Sequence, residues 1–168
     1  MAAVLVIRLT GGSSNTDPNI SLGGLMSSGS LITSNAINNL FRDVTSTQRS
    51  SGVTQYRALS FLNVGDASAT TVKFHLVWAS PSSDSDIQIG YDTSHGSCAS
   101  DSALETVGDE YTSPSTPSIS FSLATPGSMI SLPDIAVGEQ VRVWFRRVIT
   151  ADAGNRATDT TRFRVSYA

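Results

Sequence analysis

Residues 138–149 read GEQVRVWFRRVI, and the alternation of their side chains decides the fold class. Val141, Val143 and Phe145 occupy one set of alternate positions and Arg142, Trp144 and Arg146 the other, the two-residue period of a strand with unlike faces. A helix over the same residues would spread the arginines round nearly every azimuth, and β-branched and aromatic residues dominate the run. The stretch is predicted to be a central strand with an apolar, buried face and an arginine-bearing face.

The same period recurs on either side of it. Downstream, Thr161, Phe163, Val165 and Tyr167 alternate with Arg162 and Arg164 in a closing strand, with TADAGNRAT at 150–158 as its hairpin connection. Upstream, YRALSFLNV (56–64) and TVKFHLVWA (71–79) read as paired strands joined by the turn GDASA at 65–69. In the second of these, Val72, Phe74, Leu76 and Trp78 form the inner face. Ile87–Tyr91 is a short strand, and Ile119, Phe121 and Leu123 alternate with polar residues in another. Leu132, Ile135 and Val137 lead into the opening stretch.

The N-terminal third is less regular. Residues 3–9 make a first strand, followed by the turn-rich GGSSNTDPN, and Ser21 to Asn35 is expected to be irregular and extended. Ile37, Leu40, Phe41 and Val44 have the spacing of a short amphipathic helical turn, or equally belong to a twisted strand. Thr45 followed by Gln48 fits a capping box, which places one helical turn over Ser46–Ser51, ended by Gly52. The acidic stretch from Asp92 to Pro117 is expected to be a long loop with at most one short strand.

Length and composition agree with this reading. The chain of 168 residues suits one domain, and 39% hydrophobic residues permit a real core. Only 15% of residues are charged, and Ser, Thr, Gly and Asn favour strands and turns over helices. The fold class is all-β: a single antiparallel sandwich over 1–168, with 1–35 as N-terminal strand and extended arm, 36–168 as sandwich core, and at most short helical turns. A net charge of −3 provides no global attraction to nucleic acid or an anionic membrane. The apolar run MAAVLVIRLT is too short to span a membrane and lacks a signal-peptide pattern. Cys98 is the single cysteine, so no intrachain disulfide forms.

Charge is unevenly distributed. Every charged residue from Asp84 to Glu110 is acidic, whereas Arg142, Arg146, Arg147, Arg156, Arg162 and Arg164 lie in the last quarter. These are either solvated faces or complementary patches that meet across a subunit boundary. Trp144, between Arg142 and Arg146, is either an interface anchor or a ring covered by its neighbours' stems. The candidate interface is Arg142, Trp144, Arg146, Arg147, Arg162 and Arg164.

Other chemistry is thinly supplied. His95 and Cys98 in HGSC are too few for zinc, which takes three or four protein ligands, and no third group completes a nucleophile pair. Asp84, Asp86 and Asp92 have carboxylates for calcium but not the spacing of its helix-loop-helix loop, and read as turn caps. No paired carboxylates carry the spacing or apolar setting of a glycosidase. No catalytic, cofactor-binding or metal-binding residues are assigned.

Five segments in order, SLGGLMSS (21–28), NNLFRDVTSTQRSSG (38–52), YRALSFLN (56–63), VKFHLVWASPSSDSDIQIGYD (72–92) and GEQVRVWFRRVITADA (138–153), resemble small virion structural proteins of tailed bacteriophages. That resemblance implies an immunoglobulin-like β-sandwich without catalytic residues or cofactors. It also implies a homo-oligomer in the virion, made in the host cytoplasm, at the neck or collar or decorating the capsid. Its implied partners are other virion proteins: the portal or connector, capsid or tail proteins. The alternatives are a tail or baseplate component, or a host-receptor or glycan-binding module using Tyr91 or Tyr111.

Overall fold

The computed structural model describes residues 1–31, 39–79, 85–99, 104–115, 119–154 and 160–168; the side chains of residues 29–31, 78 and 79 lie outside that description. The strands are β1 (Leu5–Thr10), β2 (Met26–Leu31), β3 (Val53–Asn63), β4 (Lys73–Ala79), β5 (Ser85–Tyr91), β6 (Ile130–Ser131), β7 (Gln140–Ile149) and β8 (Thr161–Ser166). One short helix, α1 (Ser46–Ser51), precedes β3. The fold is mostly β, in two antiparallel sheets ordered β2-β1-β3-β7-β5 and β6-β4-β8.

The alternating stretch forms β7, in the interior of the larger sheet. Its register with β3 runs from Val53 opposite Ile149 to Leu62 opposite Gln140, and β5 pairs along its other edge from Ser85 opposite Ile149 to Tyr91 opposite Val143. Leu59, Phe61, Val141, Val143 and Phe145 project from this sheet onto Phe74 and Leu76 of β4 and Phe163 and Val165 of β8. Four phenylalanines bind the layers: Phe74 of one sheet stands 5.3 Å from Phe61 and 5.8 Å from Phe145 of the other, ring centre to ring centre. Phe163 lies 5.3 Å from Phe74 and 5.5 Å from Phe145. Tilted and edge-on pairs at such separations add attraction beyond the area they bury.

Two expected hairpins do not form. Both edges of β3 are taken, by β1 and β7, so β4 cannot pair with it and joins the second sheet. The crossing is organised by Asn63, whose amide donates to the carbonyls of Ala67 (2.8 Å) and Ile135 (2.9 Å) and accepts from Gly65 N–H (3.0 Å). Likewise both edges of β7 are occupied, so β8 pairs with β4, from Lys73 opposite Ser166 to Ala79 opposite Thr161.

The capping box forms as expected: Thr45 Oγ1 accepts from Gln48 N–H at 3.2 Å, and Gln48 Oε1 from Thr45 N–H at 2.9 Å. Gly52 follows at φ 74°. The expected helical turn at 37–44 is absent over its described part, 39–44. There Phe41 lies beneath the guanidinium groups of Arg57 (5.4 Å) and Arg147 (4.7 Å), a tertiary contact that the spacing of 37–44 does not encode. Ile37 lies outside the described residues. Part of the segment expected to be irregular, 26–31, instead adds to the sheet edge as β2. The strand expected at 119–123 reduces to one bridge, Ile89 with Ser122.

Candidate interaction surface

The structure corrects the expectation that β7 leaves an arginine-bearing face open, because both of its faces are covered. Trp144 and Arg142 are each only 1% exposed. Trp144 packs with Tyr56, Ala58, Val107 and Ile119, a second apolar cluster on the far side of the sheet, against which Leu22 and Phe121 also rest. Segments 21–24, 105–115 and 119–121 make this cover. Leu22 C=O accepts from Val107 N–H (2.9 Å) and Glu105 C=O from Gly24 N–H (2.9 Å).

Two glycines make the close approach possible. Gly23 has φ +90°, and a side chain there would stand 2.1 Å from Glu105 O and 3.0 Å from the Trp144 ring. Gly90, beside Trp144 on β5, leaves room for Ile119, whose Cγ2 lies 2.5 Å from the position a Cβ would take.

The six candidate interface residues fall into three groups. Arg142 is internal: Nε donates to Ser60 Oγ (3.0 Å) and Nη2 to the Gly24 carbonyl (2.7 Å). Arg142 and Trp144 are therefore not surface anchors; burial of the guanidinium is offset by hydrogen bonds to Ser60 and the Ser21–Gly24 turn. Arg146 and Arg147 are half-buried and engaged within the chain. Arg146 donates to Gln88 and stacks on Phe121 at 4.8 Å, and Arg147 donates to Gln55 and to the Arg42 carbonyl. Arg162 and Arg164, on β8, are exposed and lie in the other sheet.

A second fully buried arginine, Arg57, had no site reading in the sequence, yet it is as buried as Arg142 and pairs with Glu110. Burial pushes the Glu110 carboxyl up, but hydrogen bonds from Arg57 and Tyr111 and the Arg57 charge outweigh it and hold the group below its ordinary value. Neighbouring Tyr111 is exposed, accepts from Gln48 Nε2 (3.1 Å), and has its phenol raised by its hydrogen bond with Glu110.

Glu110 reaches across to β3, while Asp92 and Asp109 of the acidic loop cap the loop's own turns. Asp92 is buried and accepts from Ser94 N–H (2.9 Å), His95 N–H (3.1 Å) and, at 2.6 Å, pairs with His95 Nδ1. Asp109 accepts from Tyr111 and Thr112 N–H. Of the aspartates read from the sequence as turn caps, Asp92 acts as one, whereas Asp86 lies on β5 and accepts from Gln88 Nε2 (2.6 Å); the Asp109 cap had no such reading. Asp84 and Arg156 lie outside the described residues. Among the described residues no three His, Cys, Asp or Glu side chains gather as metal ligands, and no helix is long and apolar enough to cross a membrane.

Of the six candidate residues, those left outside are on β8. Phe163 and Val165 point inward, and together with Leu5, Ile7, Phe61 and Tyr167 they line an apolar groove of about 280 Å³. Arg162 and Arg164 point outward, with Lys73 on the neighbouring strand. The groove had a sequence signal in the alternation of 161–167, but its other wall, β1, is distant in the chain. Comparison with protein-family models, with curated proteins and with solved structures produced no match.

Proposed function

We propose that this protein is a non-enzymatic structural component of a tailed-bacteriophage virion, docking in multiple copies at the neck or collar or on the head surface. The observation that carries the docking reading is β8. Arg162 and Arg164 stand exposed on it without an ion-pair partner among the described residues, while the arginines of β7 are engaged inside the chain. Charges of this kind steer association and fix register. The resemblance of segments 21–28, 38–52, 56–63, 72–92 and 138–153 to virion proteins supplies the setting.

The strand order supports an immunoglobulin-like reading of the fold. β1, β3, β7 and β5 lie side by side as strands A, B, E and D do in that fold, and β4 and β8 pair as C and F do. β2 and β6 are additions at the sheet edges.

Quantitative mass spectrometry of purified particles tests the role. Many copies per particle are expected. The double change Arg162→Glu/Arg164→Glu should lower incorporation about tenfold or more without altering thermal stability. Absence of the wild-type chain from particles would overturn the proposal.

A further inference from the structure

The three-stranded sheet ends at β8. One edge of this strand is paired with β4, and among the described residues no strand lies along the other. Alternate residues of this six-residue strand therefore present backbone N–H and C=O groups in the pattern that accepts another strand. In the immunoglobulin-like order proposed above, this is where strand G would lie beside F.

The side chains say what kind of strand fits. Inward, the groove between β8 and β1 offers Leu5, Ile7, Phe163 and Val165, each only partly covered. Outward, Arg162 and Arg164 are exposed, and the facing β4 residues Lys73 and His75 supply no carboxylate. A strand added alongside would place alternate residues over the groove and the others beside the arginines. Directly opposed unlike charges stabilise such a pair and like charges destabilise it. This disfavours a second copy of β8 as occupant, since antiparallel pairing of two such edges would bring arginines beside arginines.

We infer that the open edge of β8 binds an extended segment of a partner protein in which apolar residues alternate with carboxylates, adding a fourth strand to this sheet and closing the β1–β8 groove. Main-chain hydrogen bonds provide the affinity, and the groove and the two arginines provide the selection. The inference deepens the docking reading and rests on it for the nature of the partner.

The test uses the full chain and short fluorescein-labelled peptides: alternating valine and glutamate, alternating valine and lysine, and the glutamate peptide with a central proline. Anisotropy is expected to show the glutamate peptide binding about tenfold or more tighter than the lysine peptide, weakening with added salt. Proline should reduce the binding, because it removes a ladder donor. Arg162→Glu/Arg164→Glu should reverse the preference, and amide exchange at 161–166 should slow only with the favoured peptide.

Equal affinity for the two charged peptides would overturn the inference, as would unchanged preference in the reversed variant. So would a dimer in sedimentation whose loss follows charge change at β8, which would make a second copy the occupant. The two proposals fail separately. A chain abundant in particles that ignores the peptides leaves the virion role and removes this edge. A peptide-binding chain absent from particles does the reverse.

Discussion

Trp144 shows how a residue's neighbours in the chain can mislead about its surroundings. Flanked by Arg142 and Arg146 it has the composition of an interface anchor, yet its ring fills a cavity made by Tyr56, Ala58, Val107 and Ile119. Truncating a fully buried aromatic loses both transfer free energy and packing, so Trp144→Ala is expected to cost about 3–5 kcal/mol in urea unfolding of the isolated chain. A cost below about 0.5 kcal/mol, the range of a surface change, would contradict its interior position.

Arg57 and Glu110 make a second prediction at this scale. The Glu110 carboxyl is held below its ordinary value of 4.5 in the folded chain, so the folded state binds its proton less readily than the unfolded state. The stabilisation is thus fully present above that ordinary value and is lost as pH falls through the folded one. Glu110→Gln should flatten the acid limb of the stability-pH curve and leave Arg57 short of its charged partner at neutral pH. An acid limb identical to wild type would remove Glu110 from the account.

Among the elements, α1 was the most fully legible, since its boundaries follow from local rules. Thr45 and Gln48 satisfy each other's backbone donors three residues apart. Thr45→Ala should cost about 1 kcal/mol, measured by denaturant midpoint. β2 was illegible for the opposite reason: MSSGSL has no period and gains its extended form by pairing with β1. The cover over β7 likewise depends on Gly23 and Gly90, whose requirement for no side chain is set by residues far along the chain. Gly90→Ala should destabilise clearly more than Gly127→Ala, whose added methyl would meet nothing within 4 Å. Equal thermal shifts for the two variants would mean that the 119–121 segment yields freely.

At the scale of the whole molecule, the two sheets distribute the arginines into different duties. Those of the larger sheet serve packing and hydrogen bonds inside the chain, and those of β8 face outward. Charge reversal at 162 and 164 is accordingly expected to shift the denaturation midpoint by no more than a surface substitution does, about 0.5 kcal/mol or less, while removing docking. A large stability loss in that variant would show that the β8 arginines also belong to the framework.

Periodicity determined that this protein is built of strands and that Val141, Val143 and Phe145 look into a core, and the Thr45–Gln48 spacing determined that a capped turn precedes β3. Each of those properties depends on residues within a few positions of one another. Only the tertiary structure decided which strands pair, that the other face of β7 is closed, and which arginines are left outside. A strand has two edges and two faces, and what occupies them comes from chain dozens of residues away: β5 against β7, Glu105 against Gly23, and β1 opposite β8 across the groove.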